Sequence, residues 1–173
     1  KINFGFTCTI TKYNINSLGH LLDIAKKYET IVAFQPLKEI YRGVKDVDSL
    51  TPDKEDFKKA ISLLIEKRQT CNNFRNSLSC LKHISQWPQY GYLKCWAGWI
   101  FCIINTNGDV YPCDRINYSL EPPNCLSLGV KKALYSLPEI HCNGCGFCGS
   151  LELNYLMCFR IGILTSIKKI INN

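Results

Sequence analysis

No apolar run in this sequence of 173 residues reads as a membrane span. The most apolar stretch, Leu156 to Ile171, is short and is broken by Arg160 and by Lys168-Lys169. No secretory leader is visible either, since Lys1-Ile2-Asn3 leads into an alternating pattern. These two absences predict a soluble protein with no membrane partner. A long basic run interleaved with aromatics is also lacking. The formal charge of +7 comes from 21 basic and 14 acidic residues, with lysine pairs (Lys26-Lys27, Lys58-Lys59, Lys131-Lys132, Lys168-Lys169) spread over separate predicted helices. Solvated helix faces account for these pairs better than a nucleic-acid groove, so nucleic acid is not expected as a partner. Histidine is scarce: His20, His83 and His141 are scattered along the chain.

Cysteine is in excess. Eleven are more than a core needs, and an odd number cannot all pair within one chain. Disulfide scaffolds are usually shorter, secreted and poor in core, whereas 46% of this chain is hydrophobic and several stretches carry helical periodicity. Metal ligation is the better reading, and with it a reducing, cytoplasmic compartment. A chain of this length suits one domain or two small ones.

Ile2, Phe4, Phe6, Cys8 and Ile10 alternate with polar or small residues, the pattern of a strand with one apolar face. This strand has no lead-in, as expected of a chain that opens within a domain. Asn14 and Asn16 offer helix-capping oxygens before an amphipathic stripe of Leu18, Leu21, Leu22, Ala25 and Tyr28. Ile31 to Phe34 reads as a strand buried on both faces, so the first 35 residues or so predict a βαβ unit with parallel strands. After a polar connection over 38–50, Thr51-Pro52 is expected to open a helix buried through Phe57, Ala60, Ile61, Leu64 and Ile65. A second helix is expected from about Phe74 to Trp87. Cys71 and Cys80 fit buried packing roles within this region.

The densest chemistry lies between Cys95 and Cys148. Its first part reads Cys95-x12-Gly108-x4-Cys113, with β-rich residues on either side of Asn107-Gly108, a favoured two-residue hairpin turn. A hairpin brings its two ends together and so can bring Cys95 to Cys113. Cys102 falls mid-strand, where packing is the better role. A loop over 114–128 with a lone Cys125 and a short helix near Val130 to Leu137 lead to Cys142-x2-Cys145-x2-Cys148. Asn143-Gly144 and Gly146 suit the unusual backbone angles of a cysteine knuckle. Ser150 is a candidate cap for a final helix, with a last turn or two after Gly162. Glu152 and Asn154, just past the knuckle, could reach the site, but a helix-surface role is the better reading.

Zinc would typically use two Cys-x2-Cys knuckles or a knuckle with a histidine pair, and only His141 lies near the one knuckle. A bacterial ferredoxin run fails at its fourth ligand, where Glu152 stands. A four-thiolate iron–sulfur cluster built from hairpin and knuckle fits best, and a zinc-stabilised, non-enzymatic interaction module is the alternative.

The hairpin resembles the auxiliary-cluster region of radical S-adenosylmethionine (SAM) enzymes, in their SPASM and smaller twitch domains. There a Cys-x9–15-Gly-x4-Cys hairpin precedes further cysteines. Cys95-Trp96-Ala97-Gly98, and Ile104-Asn105-Thr106-Asn107-Gly108-Asp109-Val110-Tyr111-Pro112-Cys113, carry the likeness. Upstream, FTCTITKYN, a helix and VAFQPL look like the fifth strand, fifth helix and sixth strand of the radical SAM partial barrel. The resemblance implies an α/β chain: the last part of a partial (β/α) barrel over 1–90, then a small α+β twitch- or SPASM-like cluster domain over 91–173. It implies one auxiliary [4Fe–4S] cluster with Cys95, Cys113, Cys142 and Cys145 as ligands, and Cys148 as a substitute for Cys145 or a neighbouring thiol. The Cys-x3-Cys-x2-Cys loop that cleaves SAM is absent, as is the full SPASM run of Cys-x2-Cys-x5-Cys-x3-Cys. SAM, a ferredoxin- or flavodoxin-type reductant and a peptide, carbohydrate or small-molecule substrate are therefore implied only for a complete enzyme. No residue of this chain is singled out as a catalytic acid or base.

Overall fold

The computed structural model describes residues 4–37, 47–113, 121–138, 142 and 144–158. Parts of the two expected loops (38–46 and 114–120), Ile2, His141, Asn143 and the expected turns after Gly162 lie outside them. The described chain is mixed α and β with small sheets. It groups into two compact units, one of Lys1–Leu93 with Asn143–Asn173 and one of Lys94–Cys142, where the sequence suggests 1–90 and 91–173.

In the first unit, β1 (Gly5–Ile10) and β2 (Ile31–Pro36) pair in parallel, with Cys8 opposite Phe34, and α1 (Leu18–Lys27) connects them. Parallel neighbours need such a crossover. Alternation puts Cys8 and Ile10 in the core while Thr7 faces out, and β2 buries Val32, Ala33 and Phe34 in succession. Asn14 does not cap a helix as expected. Its amide turns back on the strand end, accepting from Thr11 N–H at 2.8 Å and donating to the Thr9 carbonyl at 2.8 Å.

The long helix α2 (Lys54–Thr70) starts later than Thr51-Pro52 suggests. Asp53 is its cap, accepting from Glu55 N–H at 2.8 Å and Asp56 N–H at 3.4 Å, while the Thr51 hydroxyl donates to the Val47 carbonyl. Phe57, Ala60, Ile61 and Leu64 form its buried stripe, and Phe57 packs on Trp87 with ring centroids 4.8 Å apart. The next helix, α3 (Leu78–Ile84), is shorter than the expected span from Phe74 to Trp87. Residues 73–76 instead serve β2: Val32 N–H donates to the Asn73 carbonyl at 2.8 Å and Arg75 N–H to the Val32 carbonyl at 2.9 Å. The Asn76 amide completes the edge, accepting from Phe34 N–H at 2.6 Å and donating to the Phe34 carbonyl at 2.9 Å. Ser77 then caps α3 through Cys80 N–H.

The second unit holds a short antiparallel pair, β3 (Ile103–Ile104) and β4 (Val110–Tyr111), then α4 (Cys125–Leu128) and α5 (Val130–Tyr135). Cys125 thus opens a helical turn, capped by the Asn124 side chain, where a loop was expected. The last helix, α6 (Cys148–Met157), belongs to the first unit and packs there on α3 and β2.

Asn76 is 1% exposed, so truncating it strands a buried N–H and a buried C=O together. Each stranded group costs about 1–3 kcal/mol. Asn76→Ala should therefore lower the unfolding free energy in urea by about 2–6 kcal/mol. Leu63→Ala, on the 43%-exposed side of α2, should stay within about 0.5 kcal/mol of the parent.

Candidate metal centre

The expected ligands divide between the units: Cys95, Cys113 and Cys142 in one, Cys145 and Cys148 in the other. All eleven cysteines are described, and no disulfide joins any of them.

Around the hairpin, Cys95 is half-buried and leads into a tight turn in which Trp99 and Ile100 N–H both reach the Trp96 carbonyl at 3.0 Å. Gly98 takes φ +83°, and a Cβ there would meet Pro112 Cβ at 3.3 Å. The segment after Cys95 therefore packs on the residue before Cys113, which is itself buried. The turn differs from the expected pair Asn107-Gly108. Gly108 N–H donates to the Asn105 carbonyl at 2.9 Å, so Thr106 and Asn107 are the central residues. Gly108 follows with φ +88°, while Asn107 keeps an ordinary negative φ. A type I turn with a glycine bulge has this form. Asn107 and Asn124 side chains bind the two Asp109 carboxylate oxygens at 2.6 and 3.0 Å, and Cys125 N–H reaches the Gly108 carbonyl. Cys102 lies just ahead of β3, half-buried. Cys142 is exposed.

In the other unit the loop 144–147 leads into α6, whose first residue is Cys148. The helix thus starts before Ser150, which is buried in its first turn. The glycines serve close packing. A Cβ on Gly144 would meet Tyr90 Cβ at 2.7 Å, and one on Gly146 would meet Pro36 Cγ at 2.7 Å and run into the Tyr90 hydroxyl. Cys145 is half-buried, and Cys148 is buried with its thiol donating to Gln35 Oε1 at 3.5 Å. Burial pushes the Cys148 thiol pKa up. Arg75 and the Cys148 and Gly149 amides pull it back down, and Glu152 adds to the rise.

Glu152 and Asn154 do not lie on a helix surface. Asn154 is buried, and Glu152 Oε1 accepts from Ser77 N–H at 2.7 Å. Burial raises the Glu152 carboxyl pKa, against the opposing bonds from Ser77 and Cys80 and the charge of Arg68. The same carboxylate, after burial itself, holds the Cys80 thiol well above its ordinary value.

Sequence reasoning missed Glu152, Asn76 and a ring cluster. His83 Nδ1 lies 3.1 Å from Tyr155 Oη, and its ring stacks on Tyr90 at 5.4 Å between centroids. The signal for His83 was its place three residues after Cys80 and one before Ile84, on the buried stripe of α3. Burial lowers the His83 pKa, and the Cys145 backbone partly offsets this.

Thiols are a donor set suited to iron–sulfur clusters or zinc. Yet among the described residues no three His, Cys, Asp or Glu side chains gather closely enough to hold one ion. Nor is any described helix long and apolar enough to cross a membrane. No protein-family model, curated protein or solved structure matches the chain.

A raised carboxyl pKa in the folded state means that Glu152 adds stability below its unfolded pKa and loses it as pH rises through the folded value. Glu152→Gln keeps an oxygen for Ser77 N–H and removes the charge. The variant should show a flatter fall in unfolding free energy from about pH 5 to about pH 8 than the parent, measured by urea titration at each pH.

Proposed function

We propose that this chain is the C-terminal portion of a radical SAM enzyme and carries one auxiliary [4Fe–4S] cluster on Cys95, Cys113, Cys142 and Cys145. The observation that carries the reading is the spacing Cys95-x12-Gly108-x4-Cys113 followed by Cys142-x2-Cys145-x2-Cys148. Two further observations support it. The hairpin turns on Gly108 at φ +88°, with Gly98 packed on Pro112, and β1, α1 and β2 form a parallel βαβ unit ahead of it. The second is a fold-level analogy and weighs less than the thiol spacing.

Cys145 is the better fourth thiolate because it lies in a loop. Cys148 is built into the first turn of α6, and its thiol is engaged by Gln35. The cluster would serve electron transfer or substrate positioning, and full thiolate ligation, which leaves no iron open to substrate, favours electron relay. The partners are then a ferredoxin- or flavodoxin-type reductant and a peptide, carbohydrate or small-molecule substrate of the complete enzyme, in a reducing, cytoplasmic setting. SAM binds only in that complete enzyme.

The test is anaerobic purification. The chain should be brown with about four irons, and Cys95→Ala or Cys142→Ala should lose the colour. Supplied with SAM and reductant, the isolated chain should release no 5′-deoxyadenosine. A colourless chain that binds one zinc tightly overturns the proposal in favour of a zinc-stabilised interaction module.

A further inference from the structure

The contact between α3 and α6 buries two thiols and a carboxylate, all within the first unit. Cys80 on α3 is 0% exposed, and Cys148, the first residue of α6, is 8% exposed. Both are free thiols. Glu152 connects them. It lies four residues after Cys148 on the same face of α6, and helical side chains lean toward the N-terminus, so its carboxylate leans back toward Cys148. That carboxylate accepts from Ser77 N–H at 2.7 Å and takes a hydrogen bond from the Cys80 thiol. Cys80 Sγ also meets Asn76 Nδ2 at 3.4 Å, and Asn76 is bonded to both backbone groups of Phe34. Cys148 Sγ meets Oε1 of the next residue, Gln35, at 3.5 Å. Through Asn76 and Gln35 the two sulfurs are thus tied to consecutive residues of β2, near enough for the charge of one to act on the other.

The two thiols are not equivalent. Cys148 is the one with solvent access, and Arg75 and the Cys148 and Gly149 amides favour its anion, the form that attacks an oxidant. Burial opposes that anion, so the reaction is slow and answers only to sustained oxidation. Cys80 has no exposure to an oxidant in solution, and its proton is already bonded to a carboxylate that can take it.

We propose that Cys148 and Cys80 form a reversible disulfide when the chain meets hydrogen peroxide, a redox-sensitive lock that pins the start of α6 to α3. The Cys148 thiolate attacks one peroxide oxygen, the O–O bond breaks, and a sulfenic acid forms. The hydroxide released leaves as water with the proton that Cys148 gave up. Cys80 passes its proton to Glu152 and attacks the Cys148 sulfur, so the S–S bond forms and the S–O bond breaks. That hydroxide leaves as a second water with the proton held by Glu152. Two thiols lose two electrons, and one peroxide is reduced to two waters. Closure brings the two Cβ atoms to about 3.8 Å and releases Gln35. The movement falls on a helix end, since Cys148 joins the loop 144–147 to α6. Neither thiol is among the four proposed cluster ligands, so the inference does not rest on that reading.

The test exposes the purified chain to hydrogen peroxide, alkylates the remaining thiols and maps disulfides by tandem mass spectrometry. The parent should show the Cys80–Cys148 link and lose it on treatment with dithiothreitol. Cys145→Ser should keep the link, and Cys148→Ser should lose it. Cys80→Ala should leave a sulfenic acid on Cys148 that a diketone probe traps, with far-UV circular dichroism checking the fold of each variant. A parent chain whose Cys80 stays reduced overturns the inference, and so does one whose Cys148 is linked to Cys145. Sulfinic acid on Cys148 of the parent overturns it too, because Cys80 would then lie too far away to resolve the first product. The parent decides the outcome by itself, and a colourless chain, which removes the cluster reading, leaves this result standing.

Discussion

The first unit depends on how β2 is finished on the side away from β1. A two-stranded parallel sheet leaves the far edge of its second strand with bare N–H and C=O groups, which cannot be buried unpaired. Residues 73–76 resolve this with two different devices. Main chain pairs with Val32, and the Asn76 carboxamide pairs with both polar groups of Phe34, acting as a one-residue substitute for a third strand. Because Asn76 is committed to the strand, a helix cannot begin until Ser77, and that sets where α3 starts. The same Ser77 presents its N–H to Glu152, which ties the start of α3 to the first turns of α6. A single segment thereby joins strand, helix and the loop that carries Cys145.

This arrangement puts charge where apolar packing would be cheaper. Glu152 shares its surroundings with the Cys80 thiol, the Asn76 amide and Arg68. Polar groups of this kind do little for net stability when fully satisfied, and a great deal of harm when one partner is lost. Their gain is in register. An apolar contact tolerates sliding of α6 along α3, whereas a carboxylate on one particular N–H does not. The ring cluster repeats the logic further along both helices, with His83 on α3 meeting Tyr155 on α6. Two polar links between the same pair of helices fix both position and rotation. The loop at the start of α6 therefore inherits a defined geometry from the core.

Period was the legible part of the sequence. The alternation through Cys8 and Ile10, the apolar run of β2 and the stripe of α2 all translate into burial, because burial is what those periods encode. Starts and turns were less legible, for a shared reason. Thr51, Ser150 and Asn14 are all competent caps, but Asp53 and Cys148 lie at the actual helix starts, and which residue begins a helix depends on what its neighbours already bond. Asn107-Gly108 could have made a two-residue turn, but Asn107 is engaged with Asp109 and stays at negative φ, leaving only Gly108 to cross into the left-handed region. Glu152 looked like a surface residue because acids usually are. Nothing local reveals that an N–H 75 residues away needs an acceptor. The thiol spacing was plain in the sequence, but spacing alone does not gather side chains, and among the described residues no three candidate ligands come together to hold one ion.

Metal binding to cysteine requires the thiolate, so each ligand's surroundings decide what binding costs. Cys148 illustrates the competition. Its burial and the nearby Glu152 carboxylate favour the protonated thiol, while Arg75 and the Cys148 and Gly149 amides at the start of α6 favour the anion. Burial is the largest of these effects, so recruiting Cys148 means deprotonating a disfavoured group and releasing Gln35 as well. Cys145 sits between two glycines on a loop and has no helix to leave. The proposed ligand set follows from that difference.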